Sequence, residues 1–491
     1  MVQPIHLIDV AVPLCALQPV RRGPKCGEFR RVVHGGKHGP WARTRQTRVV
    51  IERASTTDLM QRAVDVEDVP TQIAAVLVLE GAADLDPAHL AAVTGRRLAR
   101  VPRLRQRLRR APIGCGRPYW TDDPTFDPQG HVDVVACAPP GDEPALLDAA
   151  VAVAMRRLPA SRPLWAATVV TGLSGNRLAL VVVLHHVVAD GTGGLAVLGT
   201  LVDTGPSSPE RSRRPHQPRR PPSGRELAVD AWSARWRAVT DARVWFRQLG
   251  KAVQELATTG VPAASRSSLN RPIGSRRALR VARMPLPAAL ATAHNYGATV
   301  NDVVLTATAG ALRRLLSSRG ETVPQLVISV PTSRRRTTSD LELGNQVGVM
   351  PIAVPTGSDP VDRLKSVAAI TGRRKRRATG SSGAVVEPVF RALGALGLVG
   401  WFIAHQRMIN TLVSDVRGPE TPMTFLGAPI VDVIPISGVY GNVPVAFTAL
   451  SYADTLTVSI MADPGLLPEL AELTAQLQDE LDALGGSARS G

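Results

Sequence analysis

Apolar residues form short runs and periodic stretches that alternate along the chain from residue 53 onward. A continuous apolar run lies at residues 180–184 (LVVVL), and largely apolar runs of strand length lie at residues 73–81 (IAAVLVLEG), 325–331 (QLVISVP), 347–355 (VGVMPIAVP) and 455–463 (TLTVSIMAD). Such runs predict buried strands. Helical patterns begin at residues 55–60, return at residues 85–101 and follow residues 191–194. Strands interleaved with helices predict an α/β or α+β fold, with sheets covered by helices.

The length and one Pro/Arg-rich stretch predict two domains. The chain has 491 residues, which is more than one hydrophobic core usually supports. The stretch PSSPERSRRPHQPRRPPSG, residues 206–224, cannot build a core. We therefore predict a first domain over residues 53–203, a linker over 204–225 and a second domain over 226–487. Residues 1–52 lack sustained periodicity and are predicted to be a basic N-terminal extension.

Neither a membrane span nor a disulfide framework is predicted. The longest apolar window, residues 392–404, has 13 residues where a span needs about 20, so it is expected to be a buried or interfacial helix. The four cysteines, Cys15, Cys26, Cys115 and Cys137, are scattered and include no C-x-x-C pair. A reducing, cytoplasmic setting is the expectation.

The net charge of +17 is concentrated in three segments. Residues 1–50 contain nine Lys or Arg, residues 203–225 contain six Arg, and residues 373–377 read RRKRR. This distribution indicates basic appendages on a nearly neutral body, and argues against a nucleic-acid groove. An anionic lipid or an anionic cosubstrate is the favoured partner, with simple solvated loops as the alternative.

Two histidines open the motif H-H-x-x-x-D-G, formed by His185, His186, Asp190 and Gly191. Neighbouring side chains of a strand point to opposite faces, so one histidine should face a cavity and the other the protein. A histidine there can act as a general base near neutral pH. Asp190 is expected to cap the following helix or to hold the loop. A hydrogen-bonded core pair is the alternative for the histidines.

Other site chemistries lack their motifs. No third ligand at helical or hairpin spacing supports zinc, and no metal or bound cofactor is predicted. G-x-S-x-G, Walker A and G-x-G-x-x-G are all missing from the sequence. Acid/base catalysis on a bound substrate is the role that remains for the histidine motif.

This motif resembles that of the CoA-dependent acyltransferase superfamily, and further motifs resemble its bacterial wax ester synthase/diacylglycerol acyltransferase family. These are STTDLM with QIAAVLVLEG at residues 55–60 and 72–81, RPYWTDDPTFDPQGHV at 117–132, SRPLW at 161–165, TVNDVVLTATAGALRR at 299–314 and LGNQVGVMPIAVPT at 343–356. The similarity covers about residues 53–485. SDVRGP at residues 414–419 departs from the family's N-V-P-G-P, which puts a substrate contact there in doubt.

The resemblance implies a two-domain CoA-dependent acyltransferase fold, each domain a mixed sheet flanked by helices, with an active-site channel between them. It implies that His186 removes the acceptor's hydroxyl proton in one direct transfer from acyl-CoA. By the same resemblance His185 is a packed partner, Asp190 orients the loop, and Gly191 permits a tight turn where a side chain would crowd the substrate.

Five further residues are implied to line the substrate channel: Asn301, Asp302, Pro163, Leu164 and Trp165. Helix capping is the alternative for Asn301 and Asp302, and Asn301 is a candidate donor to an oxyanion. Trp165 alone would usually be core. Residues 392–404 are candidates for lining an acyl tunnel or contacting lipid, with an ordinary core helix as the alternative.

The expected activity is acyl-CoA-dependent O-acylation of diacylglycerol, of a long-chain alcohol, or of both. Long-chain acyl-CoA is then a cosubstrate, and the protein is expected to be peripheral to a membrane or to lipid inclusions. Two alternatives remain: an acyltransferase for another alcohol or amine, and an inactive lipid-binding protein of the same fold. The sequence does not choose the acceptor or the acyl length.

Overall fold

The structure, a computed structural model, describes residues 51–65, 69–82, 84–203, 218–240, 263–333, 347–377 and 398–487. All of them belong to one compact unit, Val50–Gly491. Residues 1–50 of the predicted extension and residues 204–217 of the predicted linker lie outside the described residues. The division into two domains at that linker stays a prediction.

The strands in these ranges follow one another along the whole unit. They are β1 Gln72–Glu80, β2 Gln106–Arg109, β3 Tyr119–Asp122, β4 Val132–Ala136, β5 Trp165–Leu173, β6 Arg177–His185, β7 Ala278–Pro285, β8 Gln325–Ser333, β9 Val347–Pro355, β10 Thr411–Arg417, β11 Thr424–Phe425, β12 Ala428–Ile436, β13 Val445–Tyr452 and β14 Thr455–Ala462.

The helices alternate with these strands. They are α1 Thr56–Val64, α2 Pro87–Leu98, α3 Glu143–Met155, α4 Gly191–Leu198, α5 Gly224–Thr240, α6 Leu286–Asn295, α7 Val300–Ser318, α8 Pro360–Arg377, α9 Val399–His405 and α10 Leu470–Ser487. Several begin at side-chain caps that are visible in the sequence: Ser55 caps α1 and Asp86 caps α2. Local capping explains why the predicted starts agree with the structure.

Two six-stranded mixed sheets organise the unit. The first has the order β11-β12-β1-β6-β5-β4, and the second has the order β7-β14-β13-β10-β8-β9. In the first sheet β4 runs parallel to β5, and in the second β10 runs parallel to both β8 and β13. Helices α2 and α3 pack on the first sheet, whereas α7 and α10 pack on each other over the second. The predicted fold class, mixed sheets flanked by helices, is confirmed.

One strand joins the two halves of the chain. β12 lies in the C-terminal half of the sequence, yet it pairs antiparallel with β1 of the first sheet, with Ala74 opposite Ile436. Arg283 on β7 of the second sheet reaches Asp432 on β12 at 2.7 Å and Glu143 on α3 at 2.5 Å. The first sheet is therefore completed by a strand that lies some 350 residues after β1.

The predicted apolar helix at residues 392–404 is described only from residue 398. There, α9 buries Val399 but leaves Trp401 exposed to 63%. None of the helices in the described ranges combines the length and the apolar composition that a membrane crossing requires.

Candidate active site

The histidine pair lies where β6 ends between its two neighbours. The His185 amide donates to the Leu164 carbonyl oxygen, just before β5, at 3.0 Å. The His186 amide donates to the Thr71 carbonyl oxygen, just before β1, also at 3.0 Å. Residues 161–165 (SRPLW) and the histidine motif, which are separate in the sequence, therefore lie side by side in the first sheet.

His185 is buried, and both of its ring nitrogens have partners. Nδ1 accepts the Val187 amide hydrogen at 3.1 Å, so the ring proton belongs on Nε2. Nε2 faces the Asp65 Oδ2 oxygen at 3.3 Å and donates to it. With both nitrogens engaged, His185 holds the loop in place and is not free to accept a proton from a substrate.

Asp65 was not among the predicted site residues. Its carboxylate accepts the Thr71 amide at 3.2 Å and pairs with the Arg157 guanidinium at 3.0 Å. Burial acts to raise its pKa, but the hydrogen bonds from His185 and Thr71 outweigh burial and lower the pKa of Asp65. The sequence shows only a lone aspartate after a helix, so no local signal indicated its role.

His186 is half-buried and directly follows the last residue of β6. Burial lowers the pKa of its imidazole, opposed by a hydrogen bond to its own backbone carbonyl and by the Asp190 charge. Burial therefore favours the neutral form of the His186 ring.

Asp190 caps α4 and does not project into open space. Its Oδ1 accepts the Gly193 amide and the Thr192 hydroxyl, each at 2.8 Å, and the side chain is buried. Such a cap satisfies donors that the first helical turn leaves unpaired. Asp190 thus fixes the turn that follows His186.

Gly191 packs closely against the second sheet. A Cβ at this position would lie 3.1 Å from Val416 Cγ2 on β10, and the Gly191 backbone is not left-handed. The sequence predicted that a side chain here would crowd the substrate at a tight turn. In the structure the crowded neighbour is a valine of the other sheet.

Residues 414–419 (SDVRGP), which depart from the family's N-V-P-G-P pattern, include the end of β10. Val416 is buried against Gly191, while Asp415 and Arg417 are exposed on the opposite face of the strand. Gly418 lies so close to the Ser451 carbonyl oxygen that a Cβ would overlap it. The altered polarity therefore points away from α4, and the retained glycine has a packing role.

Asn301 and Asp302 lie in the first turn of α7. Thr299 caps this helix, and Asp302 Oδ2 accepts the Thr299 amide and hydroxyl, each at 2.8 Å. Asp302 thus takes part in capping the helix, and the channel role of Asn301 and Asp302 stays a prediction.

Trp165 is a core residue beside the histidines. It is 1% exposed, and its Nε1 donates to the Leu104 carbonyl at 2.7 Å. The His131 ring stacks on it with centroids 4.4 Å apart. Burial lowers the pKa of His131. Pro163 and Leu164 are buried as well, so these residues support the end of β6 from behind.

The loop between β12 and β13 approaches the same region. Burial raises the pKa of the Tyr440 phenol, opposed by Arg277 and reinforced by the negative charge of Asp65. The Tyr440 hydroxyl oxygen lies against Gly438, where a Cβ would overlap it. Sequence reasoning missed this tyrosine because nothing near it in the chain marks it.

A small apolar cavity of about 30 Å³ lies under α4. Its lining comes from both sheets and from α4: Leu77, Leu195, Leu198, Gly199, Val202, Pro419, Met423, Val433 and Leu450. A cavity of this size holds only a few water-sized molecules, so a long acyl chain does not fit without movement. Within the described ranges, no group of three His, Cys, Asp or Glu side chains is placed to hold a metal ion.

Two family models match the chain. Residues 55–304 match the wax ester synthase/diacylglycerol acyltransferase catalytic domain, and residues 343–485 match the C-terminal domain of the same family. A putative diacylglycerol O-acyltransferase of Mycobacterium bovis is 30% identical over 445 residues, 86% of this chain and 93% of that protein. A probable diacylglycerol O-acyltransferase of Mycobacterium tuberculosis matches with the same identity and coverage.

Solved structures share the fold. The wax ester synthase/diacylglycerol acyltransferase of Marinobacter aquaeolei aligns with a TM-score of 0.64 at 21% identity, over 89% of this chain and 99% of that one. The first condensation domain of the calcium-dependent antibiotic synthetase aligns with a TM-score of 0.58 at 17% identity, over 90% and 97%.

Proposed function

The chain belongs to the wax ester synthase/diacylglycerol acyltransferase family and is an O-acyltransferase, and from that premise we propose how its site works and on what. The proposed reaction is transfer of a long-chain acyl group from acyl-CoA to the hydroxyl of diacylglycerol, of a long-chain alcohol, or of both. The relatives at 30% identity are named for diacylglycerol, which supports that acceptor.

His186 is the proposed general base. As the acceptor oxygen attacks the thioester carbonyl, His186 Nε2 takes the hydroxyl proton, and the new C–O bond forms while the C–S bond to coenzyme A breaks. The proton then passes from the ring to the departing sulfur. The observation that carries this assignment is the lowered pKa of His186 together with the full engagement of His185.

The acyl chain supplies most of the proposed binding energy. Burying a 16-carbon chain at about 0.8 kcal/mol per methylene gives on the order of 10 kcal/mol before ordering costs. The cavity under α4 is apolar and adjoins the helix that Asp190 caps, so we propose that it widens to receive part of the chain. A substrate channel between the halves, reached by Asn301 and Asp302, belongs to the same proposal.

The proposed partners are acyl-CoA as cosubstrate and a neutral-lipid acceptor, without metal or bound cofactor and without nucleic acid. Both the acceptor and the product are poorly soluble in water. We therefore propose a cytoplasmic protein that works at the surface of a membrane or a lipid inclusion.

The test is product formation from labelled palmitoyl-CoA by the purified full chain, with diacylglycerol or hexadecanol in parallel. His186→Ala is expected to lower turnover by about 10²- to 10⁴-fold, the usual contribution of a general base. His89→Ala, which changes an exposed histidine of α2, is the control and should leave turnover unchanged. Thermal melting checks that both variants fold.

The comparison of acceptors names the preferred substrate. If the wild-type chain binds palmitoyl-CoA but esterifies neither acceptor, the neutral-lipid assignment is wrong, and a different acceptor or a lipid-binding role takes its place. If His186→Ala keeps full activity, the base lies elsewhere.

A further inference from the structure

Two exposed tryptophans lie one turn apart on α5, far along the chain from the histidine motif. Trp232 is 61% exposed and Trp236 is 57% exposed, and their rings meet edge to face with centroids 6.1 Å apart. Large aromatic side chains in water are unfavourable unless something covers them. This pair is not used by the proposed chemistry.

α5 is held to the rest of the unit by one side only. Leu227 and Ala231 are buried, and Arg53 clamps the helix through the Asp230 carboxylate at 2.9 Å and the Leu227 carbonyl at 3.0 Å. Beyond Ala231, every described side chain of the helix, residues 232–237, is exposed. The C-terminal part of α5 therefore extends away from the packed core.

The side opposite this anchor carries an apolar stripe that begins after Arg225. At 100° per residue, Arg225, Val229, Trp232 and Trp236 fall within roughly 60° of one another, and about opposite Leu227 and Ala231. Val229 is 63% exposed, like the two tryptophans. We call Val229, Trp232 and Trp236 the tryptophan face of α5.

Two arginines adjoin the tryptophan face, Arg225 at its N-terminal end and Arg235 on one side. The two carboxylates of the helix are already paired, Glu226 with Arg220 at 2.7 Å and Asp230 with Arg53 at 2.9 Å. Arg225 and Arg235 are exposed and make no ion pair among the residues described. The helix thus offers an apolar stripe flanked by uncompensated guanidinium groups.

We propose that the tryptophan face of α5 docks the enzyme on an anionic phospholipid surface. Tryptophan rings sit at the boundary between headgroups and acyl chains, and arginines beside them meet the lipid phosphates. Charge complementarity is the reason to choose an anionic lipid over an uncharged one. This inference rests on the proposed function in one respect: the proposed lipid acceptor is found at such a surface.

The test is co-sedimentation of the full chain with phosphatidylcholine vesicles, with and without phosphatidylglycerol. Wild-type protein should bind the anionic vesicles more tightly than the neutral ones, and added salt should weaken binding. The double variant Trp232→Ala/Trp236→Ala should bind the anionic vesicles at least about tenfold more weakly. Alanine favours helix, so α5 itself should persist.

Trp401→Ala is the matched control. Trp401 on α9 is 63% exposed, about as exposed as the α5 pair, and among the described residues it lies in the other segment with an exposed aromatic ring, residues 398–404. This variant should bind vesicles like the wild type. Undiminished binding by the double variant, or a larger loss in Trp401→Ala, would show that α5 is not the docking surface.

Docking and catalysis are separated by a second assay, acyl transfer with substrates dispersed in neutral detergent. The double variant should keep wild-type turnover there, because the tryptophans lie outside the catalytic residues. Vesicle binding without any acyl transfer by the wild type would refute the proposed function and leave docking intact. Sedimentation velocity tests whether the face joins two copies instead. If the wild type does not bind vesicles but forms a dimer that the double variant does not form, the lipid proposal is wrong.

Discussion

Burial at the end of β6 sets the pKa of the His186 ring and therefore the pH dependence of the proposed reaction. Only the neutral ring can accept a proton, so activity falls as pH drops through the pKa of the ring. Since burial lowers that pKa, the acid limb of kcat/KM should have its midpoint below the ordinary histidine value of 6.5. Initial rates from about pH 5 to about pH 8 measure it. A midpoint at or above 6.5 would contradict the assignment.

Asp65 is the positioning residue that orients His185. Asp65→Ala removes the acceptor for the His185 Nε2–H at 3.3 Å and should lower kcat by about 10- to 100-fold, with KM little changed, because small misplacements of the loop are costly. It should also cost about 1.5–3 kcal/mol of unfolding free energy. Asp65→Asn keeps an acceptor oxygen and should recover part of kcat. Wild-type kcat in Asp65→Ala would mean that the loop does not depend on this carboxylate.

At the scale of elements, α4 and β10 meet at one glycine. Gly→Ala in a helix usually stabilises a protein, but a Cβ at Gly191 would lie 3.1 Å from Val416 Cγ2. Gly191→Ala should therefore destabilise by about 1–3 kcal/mol through overpacking and should lower kcat. Adding Val416→Ala removes the crowded methyl group. The double variant should be more active than Gly191→Ala alone.

Urea unfolding and turnover of both single variants and the double variant form a closed cycle. A coupling free energy of about 0.5–3 kcal/mol that favours the double variant is expected for residues in direct contact. Additive effects would mean that the loss in Gly191→Ala does not come from Val416.

The elements that the sequence predicted are those with local signals. α1 and α2 start at Ser55 and Asp86, whose side chains cap them, and β9 spans the predicted apolar run. The addition of β12 to the first sheet was not predicted, because strand pairing over a long separation leaves no local pattern. The same reason hid Asp65, which lies 120 residues before His185.

At the scale of the whole molecule, the predicted site residues separate into two groups. Pro163, Leu164 and Trp165 adjoin the histidines, as pairing between β5 and β6 requires. Asn301 and Asp302 lie in the first turn of α7, where Asp302 Oδ2 caps the helix and Oδ1 is buried without a hydrogen-bond partner among the described residues. A sequence motif alone does not identify which of its residues contact substrate, because a residue of the motif can serve packing or helix capping instead.

Arg283 links the halves of the molecule through its ion pairs with Asp432 and Glu143. Arg283→Met leaves the largely buried Asp432 carboxylate without its guanidinium partner, so we expect a loss of about 1–3 kcal/mol in unfolding free energy. Arg314→Met is the matched control: Arg314 pairs with Asp479 at 3.0 Å between exposed side chains within the second half. That variant should lose at most about 1 kcal/mol. Urea unfolding of the two variants measures the difference. Equal losses would mean that the Arg283 pairs are no more than ordinary surface contacts.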